Sequence, residues 1–224
     1  MIGNENPAFG SEDKPADAHY AVSGFRPVSA SIVTFHTDDD ELCRCLGSLS
    51  SSCFDHITVI DNSSSIKTRL LCEQWPGVTY VPSENIGYGA AHNIALRDSI
   101  TDGHLYHLVL NPDIRFNGCE FKRLIEYMDS HPDTGSLQPM IINPDGTQQY
   151  TVRLIPTPFD LILRRFLPKA LMRNRRSRYE LRHMDHSQPF NAPNHQGSFM
   201  LLRCEALRDV GLFDERFFMY PEDI

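Results

Sequence analysis

The sequence is 224 residues long, which is enough for one large domain with its own core. It contains 21 Lys and Arg residues against 29 Asp and Glu residues, and the formal charge of −8 argues against a dedicated nucleic-acid-binding protein. No apolar run approaches the roughly 18 residues that span a bilayer, and the N-terminus lacks the pattern of a signal peptide. These features predict a cytoplasmic protein.

Residues 1–24 are rich in Gly, Asn, Pro, Ser, Ala and acidic residues and contain few large apolar side chains. Such a segment buries too little apolar surface to offset the entropy lost on ordering. We therefore expect a disordered leader at residues 1–24, followed by one folded domain at residues 25–224.

After this leader, short apolar and β-branched stretches alternate with amphipathic ones. The alternation predicts an α/β domain with a Rossmann-like, mostly parallel central sheet flanked by helices. Strands are expected at residues 29–35, 56–60, 78–81 and 104–110, and helices from residue 38 onward and at residues 66–73, 87–99 and 121–129.

The pattern changes after residue 135. Residues 143–146 read Asn-Pro-Asp-Gly, a strong turn signal, so we expect a hairpin that joins residues 137–142 to residues 148–154. The remaining expected segments are a basic insert of helical character at about residues 156–193, a strand at 198–202 and a short helix at 205–209.

Six cysteines are scattered along the chain without the paired CxxC spacing of a zinc site. The scatter offers no disulfide framework either, so we expect buried, reduced thiols. The six are Cys43, Cys45, Cys53, Cys72, Cys119 and Cys204.

Polar residues follow three of the predicted strands, at residues 35–37, 61–63 and 111–113. Ligands of open parallel sheets bind beyond the carboxyl ends of the strands, so a ligand site is predicted where these clusters meet. Each cluster also has a structural alternative when taken singly. Asp61 suits a helix N-cap or turn, and Asp113 suits either a divalent cation or the turn that follows Pro112.

A second acidic group lies in the last part of the sequence, within a stretch rich in Phe, Tyr and Met. Aromatic neighbours desolvate a carboxylate and raise its pKa, which suits a general base. The alternative is a solvated acidic loop. The group consists of Asp214, Glu215, Glu222 and Asp223.

Taken in order, these segments resemble family 2 of the inverting glycosyltransferases, which have the GT-A fold, and within it the bacterial rhamnosyltransferase branch. The resemblance implies a dTDP-, UDP- or GDP-linked sugar as donor, with L-rhamnose as the sugar, and Mg²⁺ or Mn²⁺ as cofactor. It implies a saccharide or polyprenyl-diphosphate-linked acceptor in cell-surface polysaccharide synthesis. The matching stretches are residues 31–36, 59–64, 84–93, 109–113, 144–146, 197–200 and 210–223.

The resemblance also implies a role for each matching residue. Asp223 would be the catalytic base with Glu222 beside it, and Asp113 would hold the metal. Asp61 would bind the base or ribose, and Asp214 would contact the sugar or support its loop. The full set expected to bind the nucleotide sugar is Thr34, Phe35, His36, Asp61, Asn85, Gly87, Asn93, Asn111, Asp113 and Asp214.

Two features depart from the pattern of that family. Asn111 stands where the first acid of the DxD motif is expected, which implies weaker metal binding. Family members continue past the Glu222–Asp223 pair into another acidic helix, whereas this sequence ends at Ile224. The resemblance therefore implies a C-terminally truncated domain with its base close to a free end.

The segment at residues 159–182 is basic and amphipathic in an otherwise acidic sequence. Eight Lys and Arg residues lie between residues 164 and 182, where Glu180 is the one acidic residue. Basic amphipathic helices bind anionic lipid, so we expect peripheral contact with the inner face of the plasma membrane. A solvated surface helix is the alternative.

Two other functional classes remain open on the sequence. A sugar nucleotidyltransferase usually has a Gly-rich loop with Arg or Lys after its first strand, whereas residues 35–40 read Phe-His-Thr-Asp-Asp-Asp. A non-catalytic protein that binds nucleotide sugars or glycans would lack metal-dependent hydrolysis of the donor, and this activity separates it from a glycosyltransferase.

Overall fold

The structure is a computed structural model that describes residues 27–155 and 173–219. The predicted leader, residues 159–172 of the basic segment and the Glu222–Asp223 pair lie outside the described residues. The strands are β1 (Val28–Thr34), β2 (His56–Asp61), β3 (Val78–Pro82), β4 (Tyr106–Leu110), β5 (Ser136–Leu137), β6 (Ile141–Ile142), β7 (Gln148–Gln149), β8 (Val152–Arg153), β9 (Asn194–His195) and β10 (Phe199–Arg203). The helices are α1 (Asp39–Ser50), α2 (Ile66–Cys72), α3 (Tyr88–Thr101), α4 (Gly118–Ser130), α5 (Arg173–Tyr179) and α6 (Cys204–Val210).

A six-stranded sheet with the order β3-β2-β1-β4-β10-β5 forms the centre of the molecule. The first four strands in this order are parallel, which confirms the predicted α/β class with a mostly parallel sheet. β1 and β4 are buried on both faces, as the apolar and β-branched composition of parallel strands requires. The register pairs Thr34 with Asp61 and Ile32 with Leu110, so the carboxyl ends of β1, β2 and β4 meet at one edge.

Helices cover both faces of this sheet. On one face α1 and α4 pack Leu46 and Phe121, both fully buried, against β1 and β4. On the other face α3 packs Ala91 and Leu96 against Ile60 of β2 and Val109 of β4. Local sequence sets where α1 and α4 begin, because their starts carry side-chain caps that satisfy free backbone N–H groups. Asp38 accepts hydrogen bonds from Asp40 N and Glu41 N before α1, and Asn117 and Glu120 form a capping box at α4.

The second half of the chain differs from the sequence-based expectations in three ways. The predicted strand near residue 200 is β10, and it runs antiparallel to β4. The predicted long hairpin is wrong in extent, because only β6 and β7 pair around the turn, while β5 joins the main sheet and β8 pairs with β9. The described part of the basic insert is helical only in α5.

The cysteine expectation needs a partial correction. All six thiols are free, as expected, and Cys45, Cys72 and Cys204 are buried. Cys53 and Cys119, however, are exposed, because each lies in the polar region where a helix begins or a loop follows one.

A polar network runs through the core between the sheet and α3. His107 on β4 shares hydrogen bonds with Ser29 Oγ at 2.8 Å and with Ser31 Oγ at 2.7 Å. Ser31 Oγ also lies 2.7 Å from Nδ1 of His92 on α3. Burial lowers the pKa of His92 to about 3 and lowers the pKa of His107 well below its ordinary value. Both histidines are therefore neutral at physiological pH, and they hold α3 in register with the sheet.

Candidate active site

The carboxyl edge of β1, β2 and β4 opens into a cleft of about 250 Å³. Four of the predicted site residues line this cleft: Phe35, Asn85, Gly87 and Asn111. The lining residues that the sequence analysis did not select are Val33, Asn62, Tyr88, Pro112, Gln196, Gly197, Ser198 and Met219.

Asp61 lies directly below the cleft and is fully buried. Its Oδ1 accepts hydrogen bonds from Ser63 N at 3.0 Å, Ser63 Oγ at 2.6 Å and Thr34 Oγ1 at 3.2 Å. Its Oδ2 accepts from Ser65 N at 2.7 Å and from Tyr80 Oη at 3.1 Å. Burial alone would raise the pKa of this carboxyl, but these hydrogen bonds outweigh it and lower the pKa.

These five protein donors fill the acceptor capacity of the Asp61 carboxylate. A base or ribose would therefore reach Asp61 only by displacing a protein donor. In the structure its contacts hold the loop after β2, which presents the next residue, Asn62, to the cleft.

Asn62 is 94% buried and lines the cleft with a fixed amide. Its Nδ2 donates to Asn85 Oδ1 at 3.3 Å and to the Gly87 carbonyl at 3.2 Å. This pairing orients the amide, and its Oδ1 has no hydrogen-bond partner within the described part of the chain. A buried acceptor left unpaired costs about 1–3 kcal/mol, so the cleft presents an acceptor that a ligand donor can satisfy.

The exposed Phe35 ring forms one rim of the cleft, whereas the predicted site residue His36 is not among the residues that line it. The Phe35 side chain is 53% exposed although it follows a buried strand, and its ring centroid lies 4.4 Å from that of His36. His36 adopts φ 53°, in the left-handed region that few residues other than glycine occupy. This backbone turn directs the chain away from the sheet and leaves the Phe35 ring at the cleft, where it can stack on a planar base.

The start of α3 forms the opposite rim, and a protein segment already occupies its backbone N–H groups. Tyr88 N donates to the Phe218 carbonyl at 3.1 Å, and Gly87 N lies 3.4 Å from Asn85 Oδ1. Gly87 has φ 95°, and a Cβ at this position would lie 2.4 Å from the Phe218 carbonyl oxygen. A phosphate at this helix start, as the sequence suggested, would first have to displace the segment around Phe218.

Asn93 is buried and directs its amide toward the segment after α6 instead of toward the cleft. Nδ2 donates to the Phe213 carbonyl at 2.8 Å and to Glu215 Oε1 at 2.9 Å, while Oδ1 accepts from Phe213 N at 3.1 Å. Glu215 also forms an ion pair with Arg97. One amide on α3 therefore fixes the backbone of the segment that leads to Glu222 and Asp223.

Asp113 is exposed and directly follows Asn111 and Pro112, which line the cleft. Among the described residues, no three His, Cys, Asp or Glu side chains lie close enough together to hold a metal ion. Mg²⁺ often binds proteins through one or two carboxylates and completes its shell with substrate phosphates and water. A single solvent-facing carboxylate beside a ligand cleft fits that mode of binding.

Asp214 does not face the cleft. Its carboxylate binds the Arg216 guanidinium with contacts of 2.9 and 2.5 Å and also accepts from Arg216 N at 3.0 Å. These hydrogen bonds lower the pKa of Asp214 to about 2. Of the two roles expected for Asp214, its contacts in the structure are those of loop support.

Ser198, Gly197 and Gln196 line the cleft because β10 is antiparallel, so its first residues reach the same edge as the last residues of β4. Ser198 is 5% exposed, and its Oγ has no partner among the described residues. Tyr88 closes the same wall with a hydrogen bond of 2.5 Å from Oη to the Gly197 carbonyl. The sequence analysis did not select these residues, because the sequence of β10 does not show that this strand runs antiparallel to β4.

The model of the family described as glycosyl transferase family 2 matches residues 29–211. The chain belongs to glycosyl transferase family 2. This confirms the resemblance drawn from the motifs and the glycosyltransferase class that it implied. The matched range includes every described residue that lines the cleft except Met219, and it ends before the expected base.

Curated relatives of this family 2 chain include two with rhamnosyltransferase names. N-acetylglucosaminyl-diphospho-decaprenol L-rhamnosyltransferase of Mycobacterium tuberculosis is 28% identical over 211 residues, which are 86% of this chain and 67% of that protein. Rhamnosyltransferase WbbL of Escherichia coli K12 is 28% identical over 203 residues and 73% of its length. A hexosyltransferase of Haloferax volcanii, Agl10, is 30% identical over 169 residues and half of its length.

Solved structures support the GT-A fold of the family 2 chain. The mannosyltransferase PcManGT of Pyrobaculum calidifontis, solved with GDP-Man and Mn²⁺, aligns with a TM-score of 0.57 at 16% identity over 85% of this chain. GalNAc-T7, solved with UDP, GalNAc and Mn²⁺, aligns with a TM-score of 0.59 at 14% identity over 90% of this chain. The chain spans 48% and 39% of the lengths of these two proteins.

Proposed function

We propose that this family 2 chain transfers L-rhamnose from a nucleoside-diphosphate donor to a saccharide or lipid-linked acceptor, with inversion, in cell-surface polysaccharide synthesis. The observation that carries the proposal is the cleft at the carboxyl edge of the parallel sheet, which is lined by the exposed Phe35 ring and by Asn62, whose buried Oδ1 has no partner among the described residues. The rhamnosyltransferase names of two relatives support the choice of sugar.

The nucleoside would lie between the two rims of the cleft. The Phe35 ring provides a stacking surface for the base, and Asn62 Oδ1 provides an acceptor for an N–H donor of that base. Stacking tolerates any base, whereas a fixed acceptor favours a base with an N–H at that position. Thymine, uracil and guanine all carry an N–H donor, so dTDP-, UDP- and GDP-sugars all fit this acceptor.

The donor diphosphate would extend toward Asn111 and Asp113 at the mouth of the cleft. Asp113 would hold a Mg²⁺ or Mn²⁺ ion, which supplies positive charge to offset the charge that develops on the leaving diphosphate. Asn111 would contribute a neutral oxygen or an amide donor beside it. Both metals remain candidates, because one carboxylate with phosphate oxygens accommodates either ion.

The Glu222–Asp223 pair would complete the reaction. Asp223 would accept the proton of an acceptor hydroxyl while that oxygen forms a bond to the anomeric carbon. The bond between that carbon and the donor phosphate oxygen breaks on the opposite face, so the configuration inverts and the nucleoside diphosphate leaves with the bonding pair. A general base of this kind contributes about 10²–10⁴-fold in rate.

Calorimetric titration of dTDP-, UDP- and GDP-sugars, with and without Mn²⁺, tests this proposal. We expect Mn²⁺-dependent binding of one nucleotide class to the wild type and at least a tenfold loss of affinity in Asp113→Ala. Asp145→Ala is the matched control, because Asp145 is an exposed acid in the β6–β7 turn, bonded to Thr147. Failure of every nucleotide to bind, or equal binding by Asp113→Ala, would contradict the donor site.

Hydrolysis of the donor separates transfer from mere binding. Slow, metal-dependent release of the nucleoside diphosphate without acceptor indicates a catalytic centre, and Asp223→Asn should abolish it. Donor binding without any release would favour the alternative of a non-catalytic nucleotide-sugar-binding protein.

Peripheral membrane contact through residues 159–182 is also proposed. Within its described part, α5 exposes Arg176 and Arg178, although Arg176 is paired with the buried carboxylate of Glu180. No helix among the described residues is long and apolar enough to cross a membrane. Sedimentation with vesicles of phosphatidylglycerol should bring down the protein at low salt, whereas vesicles of phosphatidylcholine alone should not.

A further inference from the structure

Tyr88, the first residue of α3, connects two parts of the chain that border the cleft. Its backbone N donates to the Phe218 carbonyl at 3.1 Å, and its Oη donates to the Gly197 carbonyl at 2.5 Å. Its ring also packs against Gly197, because a Cβ on that glycine would lie 3.1 Å from Tyr88 Cε1. Tyr88 therefore joins the cleft wall at residues 196–198 to the segment at residues 213–219, which precedes the expected base.

The 213–219 segment is held to α3 chiefly through its backbone. At one end, Asn93 donates to the Phe213 carbonyl and accepts from Phe213 N. At the other end, the Phe218 carbonyl accepts from Tyr88 N. Packing contributes little there, so the place of this segment beside the cleft depends on a few hydrogen bonds to α3. The apolar side chains at that end are largely exposed, Phe217 by 39%, Phe218 by 55% and Met219 by 56%.

Gly87 allows the segment to approach α3 this closely. Its φ of 95° lies in the region that favours glycine, and a Cβ here would lie 2.4 Å from the Phe218 carbonyl oxygen. Nonbonded heavy atoms pack at about 3.5 Å, so a side chain at this position would push the carbonyl away by about 1 Å. Gly87 lines the cleft, as the family resemblance implied, and it also makes room for the 213–219 segment.

A buried histidine supports the Tyr88 ring from the core. His92 lies one helical turn further along α3, and the two ring centroids are 4.5 Å apart at an interplanar angle of 70°. His92 is fully buried, and its Nδ1 lies 2.7 Å from Ser31 Oγ on β1. Edge-to-face ring pairs have a preferred geometry, so a histidine fixed to the sheet also fixes the ring that packs on it. The buried polar network thereby reaches the cleft through Tyr88.

We propose that Tyr88 is a positioning residue for the catalytic base. Supported by His92, it sets the 213–219 segment at a fixed distance from the 196–198 wall, so that the base beyond this segment faces a donor held in the cleft. Tyr88 acts through these two segments and not on the reacting atoms. This inference rests on the proposed function, in which Asp223 is the base.

Amide hydrogen exchange, measured by NMR on the ¹⁵N-labelled protein, tests the connection directly. Tyr88→Phe removes the bond to Gly197 but keeps the ring and the backbone N–H. Exchange of the residue 88 amide, which reports its bond to Phe218, should become about tenfold faster in this variant. Tyr106→Phe is the matched control, because it removes a similar bond of 2.8 Å to Asp129 at the end of β4 away from the cleft. It should leave the exchange rate at residue 88 unchanged.

Kinetics on the same variants tests the effect on the base. The assay is release of the nucleoside diphosphate, with Mn²⁺ and the dTDP-, UDP- or GDP-linked sugar that binds in calorimetry. Tyr88→Phe should lower kcat about tenfold while the donor Kd changes less than twofold, and Gly87→Ala, which displaces the segment, should lower kcat about 100-fold. The double variant should lose less than the product of the two effects, because Tyr88 cannot position a segment that is already displaced.

Three outcomes would overturn this role of Tyr88. The first is a wild-type exchange rate at residue 88 in Tyr88→Phe, and the second is full additivity of the two kinetic effects, which would make the two contacts independent. The third is a raised donor Kd with kcat unchanged, which would place Tyr88 in donor binding. Failure of every nucleotide sugar to bind the wild type would instead reject the proposed function, whereas the exchange rate would still decide whether Tyr88 joins the two segments.

Discussion

The two halves of the molecule are held together in different ways. β1 to β4 pair along five or six residues each, and β1, β2 and β4 are almost entirely buried, whereas β5 to β9 are two residues long. In the second half, side chains hold the backbone together. Gln138 Nε2 donates to the Gln196 and Phe199 carbonyls, and Ser136 Oγ lies 2.8 Å from His195 Nε2. The first half is thus the more rigid one, and the second half depends on individual side chains.

Asp61→Ala should have the largest effect, because it removes the acceptor of five hydrogen bonds beneath the cleft. Breaking a buried, charged network typically costs 3–5 kcal/mol, so we expect a loss of about 3 kcal/mol or more in the free energy of unfolding. Urea denaturation followed by circular dichroism measures this loss.

The pH dependence of the free energy of unfolding provides a second measure of the contribution of Asp61. Its pKa is lowered on folding, so its contribution is fully present above the unfolded pKa near 3.8 and is lost as pH falls through the folded value. Asp145→Ala is the control, since Asp145 accepts bonds only within its own exposed turn. If Asp61→Ala and Asp145→Ala lost similar amounts of unfolding free energy, the first half would not be the more rigid one.

Asn93→Ala should reduce turnover without weakening donor binding. The variant removes three hydrogen bonds that hold Phe213 and Glu215, and with them the segment that leads to Glu222 and Asp223. Misplacement of a catalytic group by about 1 Å can cost 10²-fold, so we expect kcat to fall about 100-fold while the calorimetric donor Kd changes less than twofold.

Arg97→Ala is the matched control for Asn93. It removes only the ion pair with Glu215, whose two side chains are about half exposed, and such pairs contribute roughly 0–1 kcal/mol. A large rise in donor Kd for Asn93→Ala would instead return Asn93 to the sugar-binding role implied by the family resemblance.

The sequence predicted the first half of the molecule better than the second half, for a physical reason. Buried parallel strands need continuous apolar runs, so β1, β2 and β4 and the polar residues after them could be read directly. Two-residue strands carry no periodicity, so the pairings of β8 with β9 and of β5 with β10 could not be predicted from the sequence.

What the sequence can predict is limited in the same way for individual site residues. The sequence identified Asp61 as a site residue, but only the structure shows that its carboxylate is already filled and that Asn62 reaches the cleft. Asn93 matched a family motif, yet its contact with Phe213 joins residues 120 positions apart, which no local pattern contains. Motifs predict where a residue lies more reliably than which neighbour it binds.

The buried histidine network should make the rigid half sensitive to acid. The pKa of His92 is lowered on folding from 6.5 to about 3. At a pH between these two values the unfolded state therefore binds a proton that the folded state does not bind. Stability is therefore full above about pH 6.5 and decreases as pH falls toward 3. At pH 5 the loss from His92 should be about 2 kcal/mol relative to neutral pH.

His92→Gln tests this dependence, because glutamine can still bond with Ser31 but does not titrate. Urea denaturation between pH 7 and pH 5 should show a smaller loss of stability in this variant than in the wild type. His183→Gln is the control, since His183 lies on the exposed surface after α5. An unchanged pH slope in His92→Gln would show that other groups carry the acid sensitivity.

The smallest expected effect comes from a matched pair of glycines, one in each half. Gly77 before β3 has φ 81° and Gly146 in the β6–β7 turn has φ 82°, and a Cβ on either would meet no atom within 4 Å. Replacement by alanine therefore imposes the same backbone strain, about 1–2 kcal/mol, at both sites.

In Gly77→Ala this strain should appear in global unfolding, because the Gly77 carbonyl accepts a hydrogen bond from Ile57 of β2. In Gly146→Ala it should appear mainly as faster amide hydrogen exchange around β6 and β7, because a short hairpin can open alone. Equal losses of global stability would mean that the two halves unfold as one cooperative unit, with the second half as rigid as the first.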